Sequence, residues 1–489
     1  MSLLAIIMAL TTYVIPTYHP AHILRGAGQL DAELRVHAAR AVRIAREGAP
    51  AWDPGEIVVQ PPAHEVVAWL RRAREREELI AVDIETDGGH VMGCPVTYIG
   101  FSDGESSMSV QLRRRDGRAF YPATQDIAVR AAIRDFLRDP CVPKGFQNAP
   151  FDTLVLGLRG FGPVRGVRLD TMFLRRITRS ELRASLEAQA SFYLDCPAWK
   201  GLAGEAKGEA FGAKVPERQV GLYNSMDALV TKRLVRPLEA ELAALGSTGD
   251  RLHRMALALG KLARQMRRNG LPVDLAERDR HARELKKKIA VAKGKLDAAV
   301  GREVRPGSLA ELRELLFGRF GCRVIAHTDT GLRRITKSDL AIMAMESGGP
   351  ARAFILALRA WREALKLKST YVDNLPVWED GRVHANPTVG RAISGRWAFS
   401  NPNLQNQPDA MRTMYVAEPG HVYVLADYEQ IEGRVTAILA GDWRTLKALE
   451  DGIDIHSWAA ELVFGVDMAE LKVKDPIRFK KHRYFAKRF

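Results

Sequence analysis

An apolar stretch that ends in two alternating acids constrains the fold of this chain more than any other feature. The segment LIAVDIETDG, residues 79–88, is typical of a buried β-strand, and Asp83 and Glu85 lie two positions apart near its end. Since successive side chains of a strand point to opposite faces, these two carboxylates project from the same face. They can hold a divalent metal ion there, although acids at strand ends are common and usually meet only solvent.

Two later segments place further acids on helices. FQNAPFDTLVLGL puts Asp152 near the start of an apolar helix, and YNSMDALVTKRLV puts Tyr223 and Asp227 four positions apart, on one helix face. Four carboxylates and a tyrosine suit phosphodiester hydrolysis by two Mg²⁺ ions, because Mg²⁺ prefers hard oxygen ligands. The tyrosine would orient the attacking water. For any one of these residues, the alternative interpretation is a helix cap or a surface acid.

The wider pattern predicts several domains. Alternating strand and helix signals between residues 62 and 238 indicate an α/β domain, and residues 239–300 are helical, with an apolar stripe beneath the basic run RELKKKIAVAKGK. Lys and Arg outnumber Asp and Glu by 73 to 58, which favours a polyanionic partner, although a solvated helix face also explains the basic run. We expect no membrane span and a cytoplasmic location with reduced cysteines. The stripe residues are Leu285, Ile289, Ala292 and Leu296.

The motifs DxE, NxxxFD and YxxxD, in this order, resemble those of 3′-5′ proofreading exonucleases. The resemblance implies a ribonuclease H-like exonuclease domain over residues 62–238, with Asn148 matching the second motif. LDTMFL and ASLEAQASFYL extend the match. It assigns water positioning to Tyr223. The metal ligands that it implies are Asp83, Glu85, Asp152 and Asp227.

VYVLADYEQIEGRVTAILAGD, residues 422–442, combines an apolar strand ending in Asp427 with a helix. It closely resembles the first palm motif of family A DNA polymerases. The resemblance implies that Asp427 and the backbone carbonyl of Tyr428 bind the catalytic metals, and that Glu432 closes the pocket over the sugar. Glu429 and Gly433 depart from the serine and leucine usual in the family, and the glycine weakens that helix by roughly 1 kcal/mol.

Other segments resemble the same family. GRAISGRWAFSNPNLQNQP, residues 390–408, resembles the segment that grips the primer-template duplex, with Arg396 donating to the primer end and Gln405 and Asn406 contacting the duplex. Trp397-Ala398 replaces the usual leucine-serine there. DIHSWAAELVFG and HRYFAKRF resemble parts of the fingers. The implied nucleotide-binding residues are Tyr428, Gln430, Glu432, His456, Arg483 and Lys487.

These resemblances imply a multidomain protein of α/β and α+β class. Residues 1–61 form an amino-terminal extension, in which YVIPTYHPAHILRG resembles the end of uracil-DNA glycosylases through His19 and Pro20, or is simply a strand and helix. Residues 62–238 form the exonuclease domain. Residues 239–489 form a helical thumb and partial palm and fingers of a right-hand polymerase.

The carboxy-terminal helix ends before the aromatic residue and glycine that follow the lysine in the family, and none of the twelve histidines precedes an aspartate. We therefore expect a polymerase interrupted within the fingers, without the second palm aspartate, and poor as a lone polymerase. Because no 5′-nuclease domain precedes the expected exonuclease, the arrangement resembles phage-type polymerases. Three hypotheses follow. The chain copies DNA with a second polypeptide or as part of a longer product, works only as an exonuclease on a DNA-binding platform, or binds DNA without catalysis. The expected cofactor is Mg²⁺, with Mn²⁺ as a substitute, and the expected partners are primer-template DNA and dNTPs.

Overall fold

The computed structural model describes residues 30–48, 52–88, 90–203, 215–328, 330–392 and 394–486. The chain divides into two compact units, Met1–Val416 and Ala417–Phe489, and each is described by itself. His19 and Pro20, the apolar amino-terminal stretch and Lys487 lie outside the described residues. The helix predicted after them is confirmed as α1, Asp31–Glu47.

A six-stranded mixed sheet forms the centre of the first 240 residues. The strand order is β1-β4-β3-β2-β5-β6, in which β2, β5 and β6 run parallel, β3 is antiparallel to both β2 and β4, and β1 is parallel to β4. The central position of β2 places the acidic strand among neighbours on both sides. The strands are β1 Glu56–Val59, β2 Ile80–Thr86, β3 Val96–Ser102, β4 Ser106–Gln111, β5 Lys144–Phe146 and β6 Val167–Asp170.

Helices cover this sheet and complete the α/β architecture that the alternating pattern predicts. Buried side chains such as Leu70, Phe101 and Phe136 fill the core between the sheet and α2 and α3. Removing such apolar surface from water is the main stabilising contribution to a domain of this kind. The helices are α2 Ala63–Glu75, α3 Ala123–Arg138, α4 Ala149–Leu158, α5 Thr171–Thr178, α6 Leu186–Tyr193, α7 Glu217–Ala243 and α8 Gly246–Asn269.

A helical region follows, and its apolar stripe is confirmed. Leu285, Ala292 and Leu296 are buried, and Ile289 is partly buried. The helix that carries them begins at the cap of Asp274, whose side chain accepts from the Glu277 amide, and ends at a left-handed glycine. The helical segments are α9 Leu275–Val300, α10 Leu309–Arg313, α11 Lys337–Glu346 and α12 Gly349–Lys366, with π-helical turns at Glu314–Arg319 and Leu367–Asp373.

Short strands and turns lie between α8 and α9 and after α12, up to residue 416. They form two small two-stranded sheets, one joining β7 to β8 and the other joining β9 to β10. Within the described ranges, no helix combines the length and apolar content that crossing a membrane requires. The elements are β7 Leu271–Pro272, β8 Arg382–Val383, β9 Asn386–Thr388, β10 Ala398–Ser400, and the 3₁₀ turns Leu404–Asn406 and Asp409–Met414.

The second unit is helical, and one sequence prediction there is wrong. The strand expected before Asp427 does not form: residues 421–428 have no regular structure, and Val424 and Leu425 are 88% and 91% exposed. A strand needs a hydrogen-bonding neighbour, and the described residues 417–486 contain no other strand to pair with it. The helices are α13 Ile431–Ala440, α14 Trp443–Glu450, α15 Ile455–Phe464, α16 Met468–Lys474 and α17 Pro476–Ala486.

Candidate active site

Three acidic side chains converge beside the central strand of the large sheet. Carboxylate oxygens of Asp83 and Glu85 on β2 and of Asp227 on α7 all lie within 4.8 Å of one another. The two β2 residues share a face, as their spacing predicts, and α7 brings in the third acid because it packs against β2, β3 and β4. The strand-end acids therefore do more than meet solvent.

A fourth acid, Asp152, approaches from the first turn of α4. Its side chain is buried, and its charge interacts with those of Asp83 and Glu85. Tyr223 lies one turn before Asp227 on α7, and Asn148 stands at the start of α4 in a left-handed conformation, with φ of 71°. The fold thus brings Asp152 and Tyr223 beside the three converging acids, and Asn148 precedes the helix that carries Asp152.

Glycine lets α7 approach the sheet at this point. Gly100 pairs with Asp83 across the ladder, and a Cβ at Gly100 would lie only 2.9 Å from the backbone oxygen of Asn224 on α7. From this close position the Asn224 amide donates to Asp83 Oδ2 at 2.8 Å, while Ser109 donates its hydroxyl to Asn224 Oδ1 at 2.7 Å. The chain of hydrogen bonds holds the Asp83 carboxylate in one orientation.

The electrostatics of the cluster favour a bound cation. Burial is the largest cause that raises the pKa of each of the four carboxyl groups, and repulsion from neighbouring carboxylates adds to it at Asp83, Glu85 and Asp152. A divalent ion would relieve both penalties, and the donors are hard carboxylate oxygens. The residues therefore fit the predicted Mg²⁺ or Mn²⁺, and Asp83, Glu85, Asp152 and Asp227 would hold it.

The residues predicted to contact the DNA duplex lie together on one surface segment of the first unit. Arg396, Gln405 and Asn406 are all exposed. The Gln405 side-chain amide donates to the Trp397 carbonyl at 3.2 Å, and this bond ties the turn that carries Gln405 and Asn406 to the stretch that carries Arg396. The structure brings the three residues to one surface.

The residues predicted to act in nucleotide transfer are spread over the second unit. Tyr428 is 81% exposed, Asp427 is also exposed, and Gln430 begins α13 in a left-handed conformation with φ of 50°. Glu432 follows in the first turn of α13. Within the described part of this unit, residues 417–486, Asp427 joins no group of acids that could share a metal ion.

An aspartate of the second unit joins α15 to α17. Asp454, at the start of α15, accepts hydrogen bonds from Arg483 Nε at 2.7 Å and from Arg483 Nη2 at 3.1 Å. It also accepts from the Ser457 hydroxyl and from the backbone of His456. Burial opposes ionisation, but these hydrogen bonds, led by the one from Arg483, lower the pKa of Asp454 to about 2. Arg483 is thus oriented by a carboxylate.

A comparison with protein families covers the second half of the chain. The family model described as DNA polymerase family A matches residues 276–487. This part of the chain belongs to DNA polymerase family A. The match includes residues 390–408, 422–442 and 454–465 and most of 482–489, the segments whose motifs resemble this family.

Relatives extend the similarity toward the amino terminus. DNA polymerase I of Chloroflexus aurantiacus is 32% identical over 354 residues, which are 69% of this chain and 37% of the relative. DNA polymerase I of Pseudomonas aeruginosa is 30% identical over 418 residues, 83% of this chain and 45% of the relative. The chain thus spans less than half the length of these family A relatives.

A solved family A structure is similar over most of the chain. It is the polymerase domain of Pol1 from M. smegmatis in complex with DNA primer-template and dNTP. The TM-score is 0.66 at 25% identity, and the alignment covers 88% of this chain and 70% of that one.

Two residues of the acidic site escaped the sequence analysis. The Lys200 ammonium lies 2.6 Å from Asp227 Oδ2 and 2.6 Å from the Tyr223 hydroxyl, and the Trp199 indole donates to Asp227 Oδ1. Both belong to the stretch between Cys196 and Gly221, which has no helical or strand periodicity. The only signal was the lysine content of that loop, which does not indicate the direction of any side chain.

Asp170 is a third residue whose role sequence motifs did not reveal. Its carboxylate is fully buried and accepts from the amides of Ala149 at 2.7 Å, Met172 at 2.9 Å and Phe173 at 3.2 Å. It therefore caps α5 and also holds the start of α4, the helix that carries Asp152. Burial raises the pKa of Asp170 to about 6 despite these bonds.

Replacing Asp170 with asparagine is expected to destabilise this fold. The new amide places N–H groups against backbone N–H groups, so the free energy of unfolding should fall by about 1.5–3 kcal/mol, the range for losing a hydrogen bond to a buried charged group. Urea denaturation followed by circular dichroism measures the change. Asp126→Asn, at the start of α3, is the matched control, and an equal loss there would contradict the special role of Asp170.

Proposed function

We propose that this chain is a DNA polymerase I-like enzyme whose first half removes nucleotides from the 3′ end of DNA. The observation that carries the nuclease proposal is the convergence of Asp83, Glu85 and Asp227 within 4.8 Å, with Asp152 beside them. The mixed sheet, with its antiparallel β2, β3 and β4 and its parallel β5 and β6, supports a ribonuclease H-like domain over residues 62–238.

The proposed chemistry uses each side chain in one role. Two bound Mg²⁺ ions would supply an activated water and stabilise the leaving oxygen of the phosphodiester. Asn224 fixes Asp83, whose carboxylate converges with those of Glu85 and Asp227, and Asp152 lies close enough for its charge to interact with Asp83. Tyr223 orients the attacking water through its hydroxyl. Asp152 and Asp227 are buried, whereas Asp83 and Glu85 are partly exposed and can be reached by the substrate.

Family membership supports a second activity, template-directed nucleotide transfer. We propose that primer-template DNA and dNTPs are the partners, as they are in the complex of the M. smegmatis relative. Asp427 and the Tyr428 carbonyl would bind metal. Arg396, Gln405 and Asn406 would hold the duplex. The proposed contacts to the nucleotide are made by Tyr428, Gln430, Glu432, His456, Arg483 and Lys487.

One observation favours an alternative for the polymerase half. The stretch that carries Asp427 is exposed and forms no strand among the described residues. The nuclease would then be the working activity, and the polymerase part would serve as a DNA-binding platform. If the chain instead copies DNA together with a second polypeptide, that polypeptide would pair with residues 421–428 and restore polymerisation.

Primer assays separate these proposals. A primer-template labelled at the primer 5′ end is incubated with the chain and Mg²⁺, with or without dNTPs, and products are sized on a denaturing gel. The nuclease proposal expects a ladder that shortens from the 3′ end and disappears with a chelator. Extension with dNTPs supports polymerisation. Extension that occurs only after a second polypeptide is added supports the proposal that the chain copies DNA with a partner. Absence of Mg²⁺-dependent shortening would refute the nuclease.

Replacing Arg396 with alanine is expected to weaken binding of primer-template DNA. If Arg396 contacts the nucleic acid backbone, its loss should reduce the slope of log affinity against log salt by about 1. Fluorescence anisotropy at several salt concentrations measures both quantities. Arg118→Ala, an exposed arginine paired with Asp116 before α3, is the control and should leave the slope unchanged. Equal slopes for both variants would count against a DNA contact at Arg396.

A further inference from the structure

The Lys200 side chain is fully committed to the acidic site. Its ammonium lies 2.9 and 2.6 Å from the two oxygens of Asp227 and 2.6 Å from the hydroxyl of Tyr223. An ammonium has three N–H donors and no acceptor, so these three contacts use all of them. Only about a quarter of the side chain is exposed. The lysine is therefore held in one position rather than sampling solvent.

These contacts determine how Asp227 can bind a metal ion. A carboxylate offers about four lone-pair positions, two on each oxygen. Among the residues that the structure describes, Oδ1 accepts from both Trp199 and Lys200, while Oδ2 accepts only from Lys200. One position remains, on Oδ2. Asp227 can therefore offer a single oxygen to a cation while Lys200 stays in place.

The same contacts determine the role of the Tyr223 hydroxyl. Because the ammonium cannot accept a hydrogen bond, the phenol oxygen is the acceptor in this pair. The phenol hydrogen consequently points to another acceptor. Lys200 therefore fixes the orientation of the Tyr223 hydroxyl, and the lysine charge lies beside the phenol oxygen.

The lysine also changes the charge that an incoming ion meets. Four carboxylates attract divalent cations, and one fixed positive charge among them reduces that attraction. A charge of this kind, a few ångströms from a divalent ion and screened as in water, weakens binding by about tenfold. If Lys200 acted only through its charge, it would weaken the binding of the metal ion and would not help catalysis.

We propose that Lys200 is a positioning residue of the nuclease site, which fixes the Tyr223 hydroxyl and holds Asp227 as a one-oxygen ligand, at the cost of weaker metal binding. The proposal rests on the proposed nuclease function. It goes beyond that function because it gives a lysine, which lies outside the three acidic motifs, a role in positioning the groups of the site.

The test combines metal binding with DNA degradation. Mn²⁺ binding to the full chain is measured from the free-ion signal in electron paramagnetic resonance. The Asp83→Ala variant measures how much Mn²⁺ binds outside the acidic site. Lys200→Met keeps the length and removes the charge and the donors. It should bind Mn²⁺ about tenfold more tightly, yet degrade DNA at saturating metal about a hundredfold more slowly, because the reacting groups are misplaced.

Two further variants make the result specific. Lys200→Arg retains the charge and should restore weak Mn²⁺ binding with part of the rate. Lys232→Met is the matched control: this lysine of α7 donates to the Leu79 carbonyl, and its loss should change neither quantity. A variant that had merely misfolded would lose Mn²⁺ binding rather than gain it, so tighter binding separates positioning from stability.

The outcomes distinguish this proposal from the nuclease proposal. Unchanged or weaker Mn²⁺ binding by Lys200→Met, or an unchanged rate, overturns the role of Lys200 even when the wild-type chain degrades DNA. If the wild-type chain binds Mn²⁺ but does not degrade DNA, the nuclease function fails. Tighter Mn²⁺ binding by Lys200→Met would then still support the ligand geometry assigned to Lys200 and Asp227.

Discussion

Replacing Asp83 with alanine should reduce Mg²⁺-dependent degradation from the 3′ end by roughly a thousandfold or more, the scale of losing a group that stabilises charge in the transition state. Asp83 lies on the central strand, its carboxylate is within 4.8 Å of those of Glu85 and Asp227, and its charge also interacts with Asp152. Like Glu85, it lies close enough for its charge to interact with each of the other acids. Time courses with a 5′-labelled primer measure the rate.

The control lies on the same chain segment. Asp87 follows just after β2, is exposed and is not one of the three converging acids, so Asp87→Ala should keep most of the rate. Removing Asp83 also removes a partly buried charge that neighbouring carboxylates repel, so the variant should unfold no more easily than the wild-type chain. Degradation that survives in Asp83→Ala, or that falls equally in Asp87→Ala, would place the nuclease elsewhere.

The parts of this site that sequence could predict are those with a fixed period. Asp83 and Glu85 are two positions apart on a strand, and Tyr223 and Asp227 are four apart on a helix, so geometry within each element determines their shared face. Lys200 has no such constraint. It begins a short 3₁₀ turn, Lys200–Ala203, and its contact with α7 is set by long-range packing that a local pattern does not contain.

The strand that was predicted for residues 422–427 but does not form also shows that a local pattern cannot specify long-range contacts. The run VYVLAD has strong strand propensity, yet strand formation needs a neighbouring strand. The adjacent helix α13 forms as predicted because its hydrogen bonds are internal. Local sequence can therefore specify α13 alone, whereas residues 422–427 become a strand only where a partner provides the other half of the ladder.

Replacing Phe136 with alanine should be the most destabilising single change considered for the sheet domain. Phe136 is fully buried on α3, and its ring meets that of Phe101 edge to face, with 5.4 Å between centroids. Lys144, also fully buried, places its ammonium 5.0 Å from the centre of the Phe136 ring. Alanine would remove the apolar contact and this cation–π interaction together.

The expected loss is about 3–5 kcal/mol in the free energy of unfolding, the range for deleting a buried phenylalanine. Chemical denaturation should show a lower midpoint. Ile127→Ala, on the same helix but 70% exposed, is the matched control and should change stability little because it creates no cavity. Since Phe136 contacts none of the four acids described above, Phe136→Ala should retain nuclease activity at temperatures where it is folded. A similar loss in both variants would show that helix propensity, rather than burial, controls this region.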